Sequence, residues 1–147
     1  MAKFVGEYKG TLDDKGRLVF PSAFKSLMGD EPLRFVVKQD LFSECLIIYT
    51  YSEWERQSEE IKSKLNFFNK SHSRFWRGYM SNRALLEPDG KLGRITIPKY
   101  LLDNIHVRKE VIFSGNDHKI ELWAKELFES SKMANEEFVS LAEKILG

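Results

Sequence analysis

Gly16-Arg17-Leu18-Val19-Phe20-Pro21 and Gly93-Arg94-Ile95-Thr96-Ile97-Pro98 are one six-residue phrase written twice in the same chain. Glycine, arginine and proline keep their places, with three strand-forming residues between the arginine and the proline each time. An Asp-containing turn precedes each copy, Leu12-Asp13-Asp14-Lys15 in the first and Pro88-Asp89-Gly90-Lys91-Leu92 in the second. Glycine supplies the backbone freedom of a tight turn, and aspartate accepts hydrogen bonds from the turn's amides. The proline has no amide to give to a sheet, so it ends the strand and pre-sets the first turn of a helix.

Outward from these phrases the two copies stay in step. Each is followed by a short apolar segment (residues 22–27 and 99–104), a strand-like run (34–38 and 110–114), a second run (45–49 and 119–123) and a helical pattern. The local chemistry predicts a hairpin between residues 4–9 and 17–20, closed by the turn at 11–16, and a first short helix ended by Gly29. Ser52 with Glu55 three residues on predicts a capping box at the start of the long helix. On that helix Trp54, Ile61, Leu65 and Phe68 form an apolar stripe, and Leu127, Phe138, Leu141 and Ile145 form another near the C-terminus; both read as packing surface. Asn116-Asp117-His118 reads as a hairpin turn. The division expected is a first repeat over 1–68, a basic aromatic linker over 69–78 and a second repeat over 79–147.

With 42% hydrophobic and 13% aromatic residues in 147, the chain has the material for a packed core. A net charge of +1 leaves function open, because a nucleic-acid-binding protein needs its cations gathered on one face rather than in excess. No apolar run approaches the roughly 20 residues that span a bilayer, and the start of the chain has no apolar stretch of signal-peptide length. The single cysteine, Cys45, has no intramolecular partner, so a cytoplasmic location is expected. Enzyme chemistry finds no foothold. His72, His106, His118 and Cys45 are scattered without metal-ligand spacing, and there is no nucleophile elbow, phosphate-binding loop or dinucleotide fingerprint. No metal and no cofactor are expected.

Residues 4–8, Phe4-Val5-Gly6-Glu7-Tyr8, and the run from Thr11 through Asp13, Gly16, Arg17 and Pro21 to Phe24 resemble the N-terminal signature of the MraZ family. Residues 86–98 resemble that family's second motif, and Ser73-Arg74-Phe75-Trp76-Arg77-Gly78 stands where the family carries an Arg/Phe-rich stretch. The resemblance covers essentially the whole chain. It implies an α+β, mostly β fold: two tandem swapped-hairpin repeats of the AbrB type forming one pseudo-twofold, barrel-like domain with flanking helices. It also implies a DNA-binding transcriptional regulator, associated with the nucleoid, acting on promoter direct repeats upstream of the division and cell-wall gene cluster that includes its own gene. The expected action is repression, and the expected assembly is a ring of identical chains. The competing reading is an antitoxin-like or protein-capturing module of the same fold.

The family's Asp-x-x-x-Arg motif falls on Asp13 and Arg17 unchanged. In the second copy Gly90 occupies the expected Asp position and Asp89 lies one residue further out, so either the turn holds an extra residue or the Asp contact is altered. An arginine beside a hairpin turn can aim its planar fork at phosphate or at guanine O6 and N7. Arg17 and Arg94 are therefore the expected DNA-binding residues, with Lys15 and Lys91 adding phosphate contacts and Asp13, Gly16, Asp89 and Gly93 shaping the turns. A carboxylate facing phosphate is repelled, so Asp13 is expected to bind turn amides or hold the guanidinium. A secondary basic patch, Lys70, Arg74 and Arg77, lies in the acid-free stretch from 62 to 83 among aromatic residues. It fits either DNA or the face of a neighbouring subunit.

Overall fold

The computed structural model describes residues 2–147; Met1, the first residue of the expected first repeat, lies outside them. The first half runs β1 (Glu7–Thr11), β2 (Arg17–Val19), α1 (Ser22–Ser26), β3 (Phe35–Gln39), β4 (Leu46–Thr50) and α2 (Tyr51–Lys62). A connecting helix α3 (Lys70–Met80) leads into β5 (Arg83–Leu86), β6 (Arg94–Thr96), α4 (Lys99–Asn104), β7 (Glu110–Asn116), β8 (Lys119–Ala124) and α5 (Lys125–Ser131). A last helix, α6 (Asn135–Leu146), follows. The fold is mixed α and β, and both halves present the same succession of elements.

The hairpin expected between residues 4–9 and 17–20 does not form. Its turn is there, closed by a hydrogen bond from the Asp13 amide to the Arg17 carbonyl at 2.9 Å. Beyond it the strands part: β1 pairs antiparallel with β7 of the other half, and β2 pairs with β6. A three-residue strand such as β2 cannot satisfy the five-residue β1, whereas β7 offers it a partner along its whole length, from Glu7↔Ser114 to Thr11↔Glu110. The same exchange occurs on the other side, where β5 pairs with β3. The large sheet has the order β1-β7-β8-β4-β3-β5, and a separate ribbon holds β2-β6. Both orders are unchanged when each strand of one half is swapped for its counterpart in the other. The six-stranded sheet is open, with β1 and β5 at its edges, and no closed barrel is formed among the described residues.

Strand alternation gives the sheet two faces. One carries Phe35, Val37, Leu46, Ile48, Val111, Phe113, Ile120 and Leu122, covered by Leu18 and Ile95 of the ribbon and by Phe24, Leu101 and Leu102 of α1 and α4. The other carries Val36, Cys45, Ile47 and Tyr49, covered by Trp54 of α2 and Tyr79 of α3. Cys45 is fully buried there, and desolvation pushes its thiol up to about 12. The thiolate is the reactive form. A folded sample at neutral pH is therefore expected to resist a thiol-reactive dye over hours and to react within minutes once denatured. Prompt labelling of the folded chain would contradict this burial.

Two boundaries differ from the sequence expectation. The α2 cap is Thr50, whose hydroxyl accepts the Glu53 amide at 3.1 Å, so the box sits two residues ahead of Ser52 and Glu55. β4 runs straight into the helix, and Glu53 is buried against Arg56 and Gln57, which hold its carboxyl below the usual range. The helix stops at Lys62, leaving Leu65 and the fully exposed Phe68 beyond it. At the C-terminal end α5 anchors through Phe128 rather than Leu127, and α6 has no buried residue. The Asp117-His118 turn is as expected, with Asp117 at φ 61°.

Candidate nucleic-acid interface

The two repeat phrases meet face to face in the ribbon. Its register pairs Arg17 with Thr96, Leu18 with Ile95 and Val19 with Arg94. Leu18 and Ile95 point into the core, so Arg17, Val19, Arg94 and Thr96 share the outer face. Antiparallel pairing sets the two arginines on opposite strands and two residues out of register, with α-carbons ~8 Å apart from standard strand spacings. The two turns lie at opposite ends of the ribbon, so Lys15 and Lys91, both exposed, extend the line of cations beyond each arginine. Val19 contributes a partly exposed apolar spot between them.

The first turn is locked by Asp13. Its carboxylate accepts the Lys15 amide at 2.9 Å, the Arg17 amide at 2.8 Å and the Arg17 Nε–H at 2.9 Å. Gly16 closes the loop at φ 76°, with its amide donating to the Asp13 carbonyl at 3.0 Å. Among the described residues Asp13 ties Arg17 by its side-chain Nε alone, so the two terminal amino groups keep their donors for another partner. The amide of Arg17, foremost, lowers the Asp13 carboxyl below its ordinary 3.8. A depressed carboxyl stabilises above its unfolded value and loses that contribution as pH falls through the folded one. The clamp is therefore intact at every pH above about 4 and opens only in stronger acid.

The second turn contains an extra residue. Asp89 takes the backbone place of Asp13, with its amide donating to the Arg94 carbonyl at 2.9 Å and its carbonyl accepting the Arg94 amide at 2.8 Å. Gly90 and Gly93, at φ 69° and 68°, absorb the longer path. Among the described residues no side-chain hydrogen bond joins Asp89 to Arg94, so the Asp contact is altered as well. Asp13→Ala, which removes the acceptor of three hydrogen bonds, is therefore expected to lower the melting temperature of the chain, while Asp89→Ala leaves it almost unchanged. Melting curves with equal shifts would contradict the asymmetry.

Lys25 joins this surface without any signal in the repeat. Its position in the second copy is the buried Leu102, yet from α1 it reaches across to the second turn. A β-carbon built on Gly93 would stand 2.6 Å from the Lys25 Nζ. The secondary patch is elsewhere. Lys70, Arg74 and Arg77 lie on α3, which packs through Tyr79 on the opposite face of the sheet from the ribbon. Arg83, from the same basic stretch, stacks its guanidinium on Tyr79 and Trp54 at 4.4 and 5.0 Å from the ring centroids. The structure thus gathers Arg17, Arg94, Lys15 and Lys91 and separates the α3 cations from them.

Comparison with known proteins matches the family model described as "MraZ protein, putative antitoxin-like" to residues 3–78 and 81–144. A protein of Bacteroides thetaiotaomicron named transcriptional regulator MraZ is 37% identical over 147 residues, covering 99% of this chain and 94% of its own length. Proteins of the same name from Bacteroides fragilis and Caldanaerobacter subterraneus subsp. tengcongensis are 33% identical over 147 residues and 34% over 142. These cover 99% and 96% of this chain, and 92% and 95% of their own lengths. Matched from end to end, and carrying both repeat phrases in order, the chain belongs to the MraZ family.

Proposed function

We propose that the chain is a sequence-specific DNA-binding transcriptional regulator that reads DNA with the outer face of the β2-β6 ribbon. The carrying observation is the placement of Arg17 and Arg94 on one exposed face of a two-stranded ribbon. The major groove admits such a ribbon, and an arginine fork matches guanine O6 and N7. Val19 suits contact with a thymine methyl, and Lys15, Lys91 and Lys25 suit phosphates. The relatives' shared name supports regulation of transcription. Among the described residues no helix is long and apolar enough to cross a membrane; the proposed location is the cytoplasm, on the nucleoid.

The strand exchange supports a reading of residues 1–68 and 79–147 as two swapped-hairpin repeats of the AbrB type, joined by 69–78 and related by a pseudo-twofold axis. One ribbon offers few phosphate contacts. Assembly of several chains into a ring raises affinity through effective concentration if direct repeats fall near one helical turn apart, about 10–10.5 base pairs. The proposed operator is a set of such repeats upstream of the chain's own gene and the division and cell-wall cluster, and occupancy of the promoter represses it. The test is a salt-dependent titration on that upstream DNA. Binding should weaken with a log–log slope of about −0.9 for each phosphate neutralised and should exceed binding to scrambled DNA at least 100-fold. Equal affinity for the two DNAs would overturn the reading.

A further inference from the structure

Among the described residues nothing buries the α6 stripe. Phe138, Leu141 and Ile145 recur at helical spacing, and Val139 and Leu146 widen the same side; Phe138, Ile145 and Leu146 are 61%, 76% and 84% exposed. On a helical wheel Glu137 and Lys144 border this stripe on one side, and Glu136 and Glu143 border it on the other. A 12-residue helix is marginal in water on its own and owes its stability to packing of its apolar face.

A matching surface lies on the sheet face away from the ribbon. A groove of about 750 Å³ runs between α2, α3 and the start of β5. Leu41, Ile61, Phe75 and Tyr79 give it apolar walls, and Lys38, Arg74 and Arg83 supply three cations against one carboxylate, Asp40. Arg83 carries a buried Nε–H without an acceptor, and desolvation lowers both Lys38 and Arg83 from their ordinary values. An apolar helix bordered by three acids and one cation and an apolar groove with three cations and one acid complement each other in shape and charge. An antiparallel α6 pair would instead set Glu136 and Glu143 of one helix against the same residues of the other.

We propose that α6 of one protomer seats its Phe138–Leu141–Ile145 stripe in the α2–α3 groove of a second copy, with its glutamates facing Lys38, Arg74 and Arg83. This rests on the self-association proposed above and names its contact. The helix and the groove are different surfaces, so the contact is head-to-tail. Such contacts propagate until they close. They also place Arg74 against a neighbouring subunit and leave the ribbon free on the opposite face.

Two variants of the full chain test it, by light scattering after gel filtration at tens of micromolar. One has a disabled helix (Phe138→Glu with Ile145→Glu) and the other a disabled groove (Arg74→Glu with Phe75→Ala). All four positions are exposed, so each variant should keep the wild-type circular dichroism spectrum. Wild type is expected to assemble and each variant to run as a monomer. Mixed, the two should form a one-to-one heterodimer and nothing larger, because one intact helix meets one intact groove. A groove variant that still assembles would show α6 pairing with α6 or docking elsewhere, and would overturn the contact while leaving self-association standing. So would two monomeric variants that fail to complement. A monomeric wild type would overturn self-association itself, and with it the contact.

Discussion

Replacing Arg17 and Arg94 together with alanine will lower affinity for operator DNA by roughly 10²- to 10⁴-fold, since a good bidentate arginine–guanine pair discriminates by ~1–3 kcal/mol and this change removes two. Neither arginine supports the core: both side chains stand on the outer face of the ribbon, and the buried residues between them are Leu18 and Ile95. Melting temperature should therefore be almost unchanged. The single variants should differ. Arg17 is held by Asp13 at 2.9 Å and presents a fixed fork, so its loss should erase preference at one base position. Arg94 lacks that clamp, so its loss should act more evenly across sequences and flatten the salt slope by about one unit. Anisotropy titrations on operator and scrambled DNA at several salt concentrations separate these effects. Unchanged affinity in the double variant would remove the ribbon from consideration as the reading surface.

Gly115→Ala should be the most damaging single-methyl change in the chain, with an expected loss of about 2–4 kcal/mol. A β-carbon at Gly115 would lie 2.6 Å from the carbonyl carbon of Phe4 and 2.6 Å from the amide nitrogen of Val5. These are main-chain atoms, so no side-chain rotation relieves the clash. The Phe4 amide donates to the Asp117 carbonyl at 2.6 Å and the Gly115 amide to the Gly6 carbonyl at 2.8 Å, stitching the start of the chain to β7. Moving that segment aside would lift Phe4 out of the core, where it packs edge-on against Phe24 at 5.4 Å. Calorimetry should show a fall of roughly 5–15 °C for a chain of this size. DNA affinity of the surviving folded fraction should be normal, because the pairing that forms the ribbon involves neither Gly115 nor Phe4.

The repeat, the turns and the turn arginines were legible because each depends on local chemistry. Gly16, Gly93, Pro21 and Pro98 announce a backbone conformation whatever surrounds them. The pairing of β1 was not legible, since the turn at Asp13 has the chemistry of a hairpin and is closed as one. Which strand receives β1 depends on β7, on the far side of the chain, and alternation of apolar residues is blind to that choice. The Thr50 cap was hidden because Thr50 also ends β4, and a residue serving two elements shows the pattern of neither. Gly29 and His106 make the same point: they stand at equivalent places after Pro21 and Pro98 and take φ 58° and 63°, yet only the glycine advertises it. Lys25 escaped because only one repeat has a cation there, and its reach to the second turn exists in three dimensions alone.

The exchange of outer strands also sets a timetable for the nascent chain. Thr11 leaves the ribosome early, but Glu110, its partner in the sheet, is made about 5–20 s later at ordinary rates of synthesis. During that interval β1, β2 and the unpaired edge of β3 have no partners from the second half, and apolar residues such as Phe4, Leu18 and Phe35 stay unprotected. Folding of the sheet therefore waits until β7 has been made and proceeds through distant contacts, which are slow to close. Nascent chains of this protein should be unusually dependent on whatever shields exposed strands until the second half has been made.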